Sequence, residues 1–105
     1  MKPIGPTKLL SVSTASASTS LSSQAGQPIL GVAVFNLSSG VTSYATVGIS
    51  SSTVKAPTTT TASNVVPVLG LTQGLVELQT TTTPATVWVS AIATGDGTLA
   101  LTPLF

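Results

Sequence analysis

The sequence predicts an all-β fold: a small, jelly-roll-like β-sandwich of six to eight antiparallel strands with no significant helix. Three observations carry this. Roughly a third of the 105 residues are Ser or Thr, Val is abundant and helix formers are scarce; that mixture favours strands and polar turns. Short runs of alternating polarity recur at nearly even spacing, with polar connectors between them. The stretch Thr86 to Phe105 then sets two alternating runs on either side of Gly95-Asp96-Gly97, a local pattern that predicts a closing hairpin. Val87, Val89, Ala91 and Ala93 alternate with Trp88, Ser90 and Ile92, so both faces of that run are largely apolar. It is expected to be a central strand covered on both sides.

Met1 to Thr7 holds Pro3, Gly5 and Pro6 and is expected to be an extended arm, lying on its own domain or on a neighbour. Lys8 to Leu21 alternates loosely and predicts one strand, or two with a bend. Residues 1–23 are therefore read as an arm with the first strand, and 24–105 as the sandwich, within a single domain. Ser22 to Gln27 is a loop. Pro28 to Asn36 predicts a core strand, with Leu30, Val32 and Val34 on one side, Ile29, Ala33 and Phe35 on the other, and Gly31 marking close packing or a bulge. Asn36 to Gly40 is a turn, and Val41 to Ser50 a strand with Tyr44, Thr46 and Gly48 opposite Ala45, Val47 and Ile49.

Ser51 to Asn64 is a long polar loop with the run Thr58-Thr59-Thr60-Thr61. Val65 to Leu69 contains Pro67 and so belongs at a sheet edge or a strand start. Leu75 to Gln79 is a strand alternating Leu75, Glu77 and Gln79 against Val76 and Leu78. Thr80 to Pro84 is a second threonine-rich connector.

Charge is the outlying feature. Only Lys2, Lys8, Lys55, Glu77 and Asp96 are ionised, 5% of the chain, with a net charge of +1; ordinary domains are about a quarter charged. Such a surface offers little repulsion against self-association and suits a protein packed among neighbours. Three lysines cannot neutralise many phosphates, so nucleic acid is excluded as a partner. No apolar run approaches the roughly 20 residues of a membrane span, and no membrane is expected. Lys2 and Lys8 precede Leu9-Leu10, and Ala15-Ser16-Ala17 resembles a signal cleavage site. The region between is Ser/Thr-rich and preceded by Pro3 and Pro6, so no cleaved signal is expected. There is no cysteine and hence no disulfide framework.

Catalytic, cofactor and metal sites are all expected to be none. The chain has no His and no Cys. A Ser or Thr nucleophile needs a positioned base, and Lys8 and Lys55 stand in polar contexts without a companion signature. Glu77 and Asp96 make an acid–base pair or a calcium site only in principle; a solvent-facing strand residue and a turn residue are the simpler readings. Asn36-Leu37-Ser38 fits a glycosylation pattern, yet holding the turn after the core strand is the simpler role. Trp88 and Tyr44, the two large amphipathic aromatics, are candidate packing residues or interface anchors.

From Pro28 onward the order of segments resembles a group of small Ala/Thr/Ser/Val-rich virion structural proteins of tailed bacteriophages. The pieces are VAVFN (Val32 to Asn36), ATVGIS (Ala45 to Ser50), APTTTTAS (Ala56 to Ser63), VPVL (Val66 to Leu69), LVEL (Leu75 to Leu78) and VSAIATGDGTLALTP (Val89 to Pro103), about three quarters of the chain. The resemblance implies a non-enzymatic capsid decoration or cement protein that bridges major capsid proteins on a phage head. Its partners would be the major capsid protein or other virion proteins and copies of itself, and its location the virion, assembled in the host cytoplasm. The alternatives are a neck or tail subunit, or a fibre or spike module that binds carbohydrate or a host surface, with Trp88 and Tyr44 exposed beside Asp96 or Asn36. Candidate interface residues are Lys2, Pro3, Ile4 and Pro6 in the arm and Leu104 and Phe105 at the exposed end.

Overall fold

A computed structural model describes residues 2–58, 60, 63–78 and 84–105. It contains eight strands: β1 (Lys8–Val12), β2 (Ala17–Ser22), β3 (Gly31–Asn36), β4 (Ser43–Gly48), β5 (Val66–Val68), β6 (Gln73–Glu77), β7 (Thr86–Ala93) and β8 (Gly97–Leu104). Among the described residues the one helical element is a short 3₁₀ turn, Gln24–Gly26. Two four-stranded sheets face each other, in the orders β1-β8-β3-β6 and β2-β7-β4-β5. All strand pairs are antiparallel. β1 pairs with β8, β2 with β7, β3 with β6 and β4 with β5, as if one long antiparallel ribbon had been wrapped around a barrel. That wrapping is a jelly roll.

The alternating runs supply the core directly. Val32, Val34, Leu99, Leu101 and Val76 point inward from the first sheet, and Leu21, Ala45, Val47, Val87, Val89 and Ala91 from the second. Each fully buried Val or Leu contributes about 1.5–3 kcal/mol by leaving water. β7 is central, between β2 and β4, as its two apolar faces predict. β5 lies at a sheet edge, where Pro67 lacks the N–H that an inner strand would need. Lys8 to Leu21 makes two strands with a bend at 13–16, one in each sheet, so β1 and β2 supply an edge to both halves of the sandwich.

The expected closing hairpin is not one. β7 and β8 flank a short connector but lie in different sheets, so Thr94 to Asp96 turns a corner between layers. Alternation and a Gly/Asp turn mark two strands and a change of direction, and a corner satisfies both as well as a hairpin does. Gly97 is required by close approach: a Cβ there would lie 2.8 Å from Ser38 Oγ, the atom that accepts the Thr98 N–H at 3.1 Å.

A second departure falls at Gly31. Ile29 is fully buried and Leu30 is exposed, the reverse of the predicted alternation. Val32 and Val34 keep their inward phase, so the chain slips by one position at Leu30–Gly31 and turns Ile29 into the core. Gln79 and the Thr80–Thr83 part of the second connector lie outside the described residues, as do Thr59 and Thr61 of the first threonine run.

The N-terminal arm lies on its own domain. The Lys2 N–H donates to the Phe105 carbonyl (3.0 Å), the Phe105 N–H returns the bond to Lys2 (2.9 Å), and the Ile4 N–H donates to Pro103 (3.0 Å). The arm thus extends the edge beside β8 that β1 occupies further along. Ile4 packs against the core.

Candidate functional site

A two-sheet sandwich has two outer faces, and period-2 geometry assigns every outward side chain to one of them. On the first sheet the cross-strand register sets Leu9, Ala100, Phe35 and Gln73 in one row, and Thr102, Ala33 and Leu75 in the next. Leu9 is 64% exposed, Leu75 47% and Phe35 37%. Neither row holds a charged residue; Glu77 stands at the rim, level with Gly31 and Leu104. Ala33, Gly74, Leu75 and Leu104 line a shallow depression of about 410 Å³ in this face. Phe35 and Leu75 stand on neighbouring strands, with Leu9 beyond Ala100 at the other edge of the sheet; exposed apolar groups gathered on one face mark a candidate docking surface.

Of the sequence-predicted interface residues, Lys2, Pro3, Ile4 and Phe105 come together around a second apolar depression of about 410 Å³, with Gln27 and Pro28. Pro6 is exposed nearby in the chain but is not part of that wall. The expected exposed end divides: Phe105 is 52% exposed, whereas Leu104 is buried at 8%. The pairing of the arm with β8 explains this, because it covers Leu104 from the edge.

Trp88 and Tyr44 both point to the outer face of the second sheet and both are half-buried. They are not neighbours: the row Ser90–Thr46 separates Trp88–Gly48 from Ile92–Tyr44. Neither stands beside Asn36, which is fully buried. Its Nδ2 donates to the carbonyls of Val41 (2.7 Å) and Val68 (3.1 Å), and its Oδ1 accepts the Ser38 N–H (3.1 Å). The amide that a glycan would need is already engaged in holding the turn. Asp96 lies in another depression, with Ser11, Val12, Ser13, Gly97 and Thr98.

The two carboxylates are far apart. Glu77 is level with Leu104 at one end of β8, and Asp96 precedes Gly97 at the other. Seven residues at about 3.3 Å each put roughly 23 Å between those levels, too far for a shared proton or a shared cation. Among the described residues no group of three or more His, Cys, Asp or Glu is placed to hold a metal. Lys8 Nζ donates to the Ser20 carbonyl at 3.0 Å, tying the edge of the first sheet to that of the second.

Sequence reasoning did not single out the Leu9–Phe35–Leu75 face. The signal was present in β3, whose Ala33 and Phe35 make the outward phase apolar as well. The strand order that brings Leu9 and Leu75 alongside is not local information.

These features define the class: a small jelly-roll sandwich whose exposed surface is poor in charge and partly apolar. No protein-family model and no curated protein matches the sequence. Among solved structures the chain is similar to one described as the crystal structure of PirA, with a TM-score of 0.53 and 10% identity over 93% of each chain. At that identity the likeness shows the fold alone.

Proposed function

We propose that this chain is a non-enzymatic structural protein of a bacteriophage virion, a decoration or cement subunit that seats the outer face of the β1-β8-β3-β6 sheet on the major capsid protein. The observation that carries the reading is that face itself, with Leu9, Phe35 and Leu75 exposed in rows that hold no charge. The likeness of its segments to small virion proteins supplies the partner, and the wide separation of Glu77 and Asp96 fits a protein without a catalytic site.

Size fits a many-copy role. Four strands about 4.8 Å apart and a few rows deep give a footprint of roughly 400 Å². A specific interface needs about 800 Å² per partner. The face is therefore one contact of modest strength, completed by the neighbouring terminal cleft and multiplied by copy number.

The test is add-back. Particles lacking the protein are incubated with purified chain, and occupancy is read by gel densitometry against the major capsid protein. A Leu9→Glu, Leu75→Glu double variant that keeps its β-sheet circular dichroism is expected to lose occupancy at least about tenfold, because a buried unpaired charge costs well over 1.4 kcal/mol. Wild-type occupancy by that variant would overturn the assignment of the face.

A further inference from the structure

We propose that the outer face of the second sheet carries a binding site for a neutral carbohydrate, centred on Trp88. After β4 the chain folds back across this face and is pinned there. The Ser52 N–H donates to Ser90 Oγ (3.1 Å), Ser18 Oγ donates to the Ser52 carbonyl (3.3 Å) and contacts Ser90 Oγ (3.0 Å), and the Val54 N–H donates to Ser16 Oγ (3.1 Å). Val54 is 8% exposed although it stands outside the core cluster between the sheets. The crossing segment is a fixed wall. Between it and the sheet lies a depression of about 440 Å³ lined by Ser16, Ser18, Ser51, Ser52, Thr53 and Trp88.

The bland role for a cross-strand aromatic beside a glycine is to cover that glycine. Gly48 is the register partner of Trp88, yet a Cβ built on it would meet nothing nearer than the Ser50 carbonyl at 3.8 Å. The indole does not fold over Gly48, and the floor on that side is open. Trp88 lines the depression instead.

The wall's chemistry selects the ligand. It holds no ionisable group, so nothing there favours a phosphate, a carboxylate or an ammonium, and nucleobase stacking would lack its cations. An apolar peptide would meet hydroxyls on nearly every side. Ser16, Ser18 and Ser90 hold the segment, while the exposed hydroxyls of Ser51, Ser52 and Thr53 take no part in those bonds. Each hydroxyl both donates and accepts. An aromatic surface beside such groups matches a sugar ring, whose C–H face is apolar and whose rim is hydroxyl. The lining is mostly polar, five hydroxyl residues with Trp88 as the one aromatic member. This face is opposite the proposed docking face, so a docked subunit leaves it open, and the site does not rest on that reading.

Trp88 is the chain's one tryptophan, so its fluorescence reports this site and no other. The full chain is titrated with neutral oligosaccharides of glucose, galactose, mannose and N-acetylglucosamine. A saturable change in Trp88 emission with at least one of them is expected. Saturation-transfer NMR on that sugar should show affinity falling about tenfold in Trp88→Ala, the loss of one ring contact. A Ser51→Ala, Thr53→Val double variant, confined to exposed hydroxyls, should weaken binding several-fold and serves if Trp88→Ala fails to fold. No saturable response across the panel at millimolar sugar overturns the proposal. So does binding that persists unchanged in the double variant or in folded Trp88→Ala.

Discussion

Asn36 holds three strands in register through one amide. Its three hydrogen bonds reach the Val41 carbonyl ahead of β4, the Val68 carbonyl at the end of β5 and the Ser38 N–H in the turn, all from a fully buried side chain. Truncation leaves those groups, one buried and two part-buried, without their partner. Asn36→Ala is expected to cost about 2–3 kcal/mol, which lowers the melting temperature of a domain this size by roughly 10–20 °C. Thermal melting by circular dichroism measures it; a shift of only a few degrees would show that the turn stands without the amide. The role was legible in the sequence, because an Asn directly after an apolar strand and before Ser-Ser-Gly is turn chemistry. The bond to Val68 was not, since it spans 32 positions of chain. Trp88 follows the same logic. Its strand was readable, but its neighbours Ser51 to Thr53 come from a polar loop with no periodicity to place them.

Strands were readable as elements, and their partners were not. The central position of β7 follows from its two apolar faces, and the edge position of β5 from Pro67. The β7–β8 pairing failed because local alternation says nothing about which sheet receives the next strand. The arm is a third case: Pro3, Gly5 and Pro6 show that it is not helical, and only the register shows that it closes an edge. Gly5 is the position that lets it do so. A Cβ there would sit 2.7 Å from the Ser22 carbonyl oxygen and 2.8 Å from Pro103 Cγ, with the arm wedged between the two sheets. Backbone on one side and a proline ring on the other give little room to shift. Gly5→Ala is therefore expected to lift the arm and cost about 1–3 kcal/mol in chemical denaturation. Amide exchange at Lys2 and Phe105, which bond each other in both directions, should lose its protection first. A variant as stable as the parent with both amides still protected would show that the arm is not wedged.

At the scale of the whole molecule, the jelly-roll class was legible from composition and spacing, since a charge-poor, Thr/Ser/Val-rich chain with short even strands has few other ways to bury its apolar phases. The same scarcity of charge bears on how the molecule is held by a partner. Five ionised side chains are spread over 105 residues, and the rows of the proposed docking face contain none. Attachment through that face would draw on apolar burial and not on ion pairs. At 1 M salt the Debye length is about 3 Å, short enough to strip a subunit held by surface charges. Apolar contacts are insensitive to this screening and strengthen in sulfate, while urea weakens them. Particles are therefore expected to retain the protein through a 1 M salt wash. They should release it in urea at concentrations below the domain's own unfolding midpoint, fixed separately by circular dichroism so that detachment is not confused with denaturation. Densitometry against the major capsid protein reads both washes, and release by salt alone would place the contact on a charged surface and not on the Leu9–Phe35–Leu75 face.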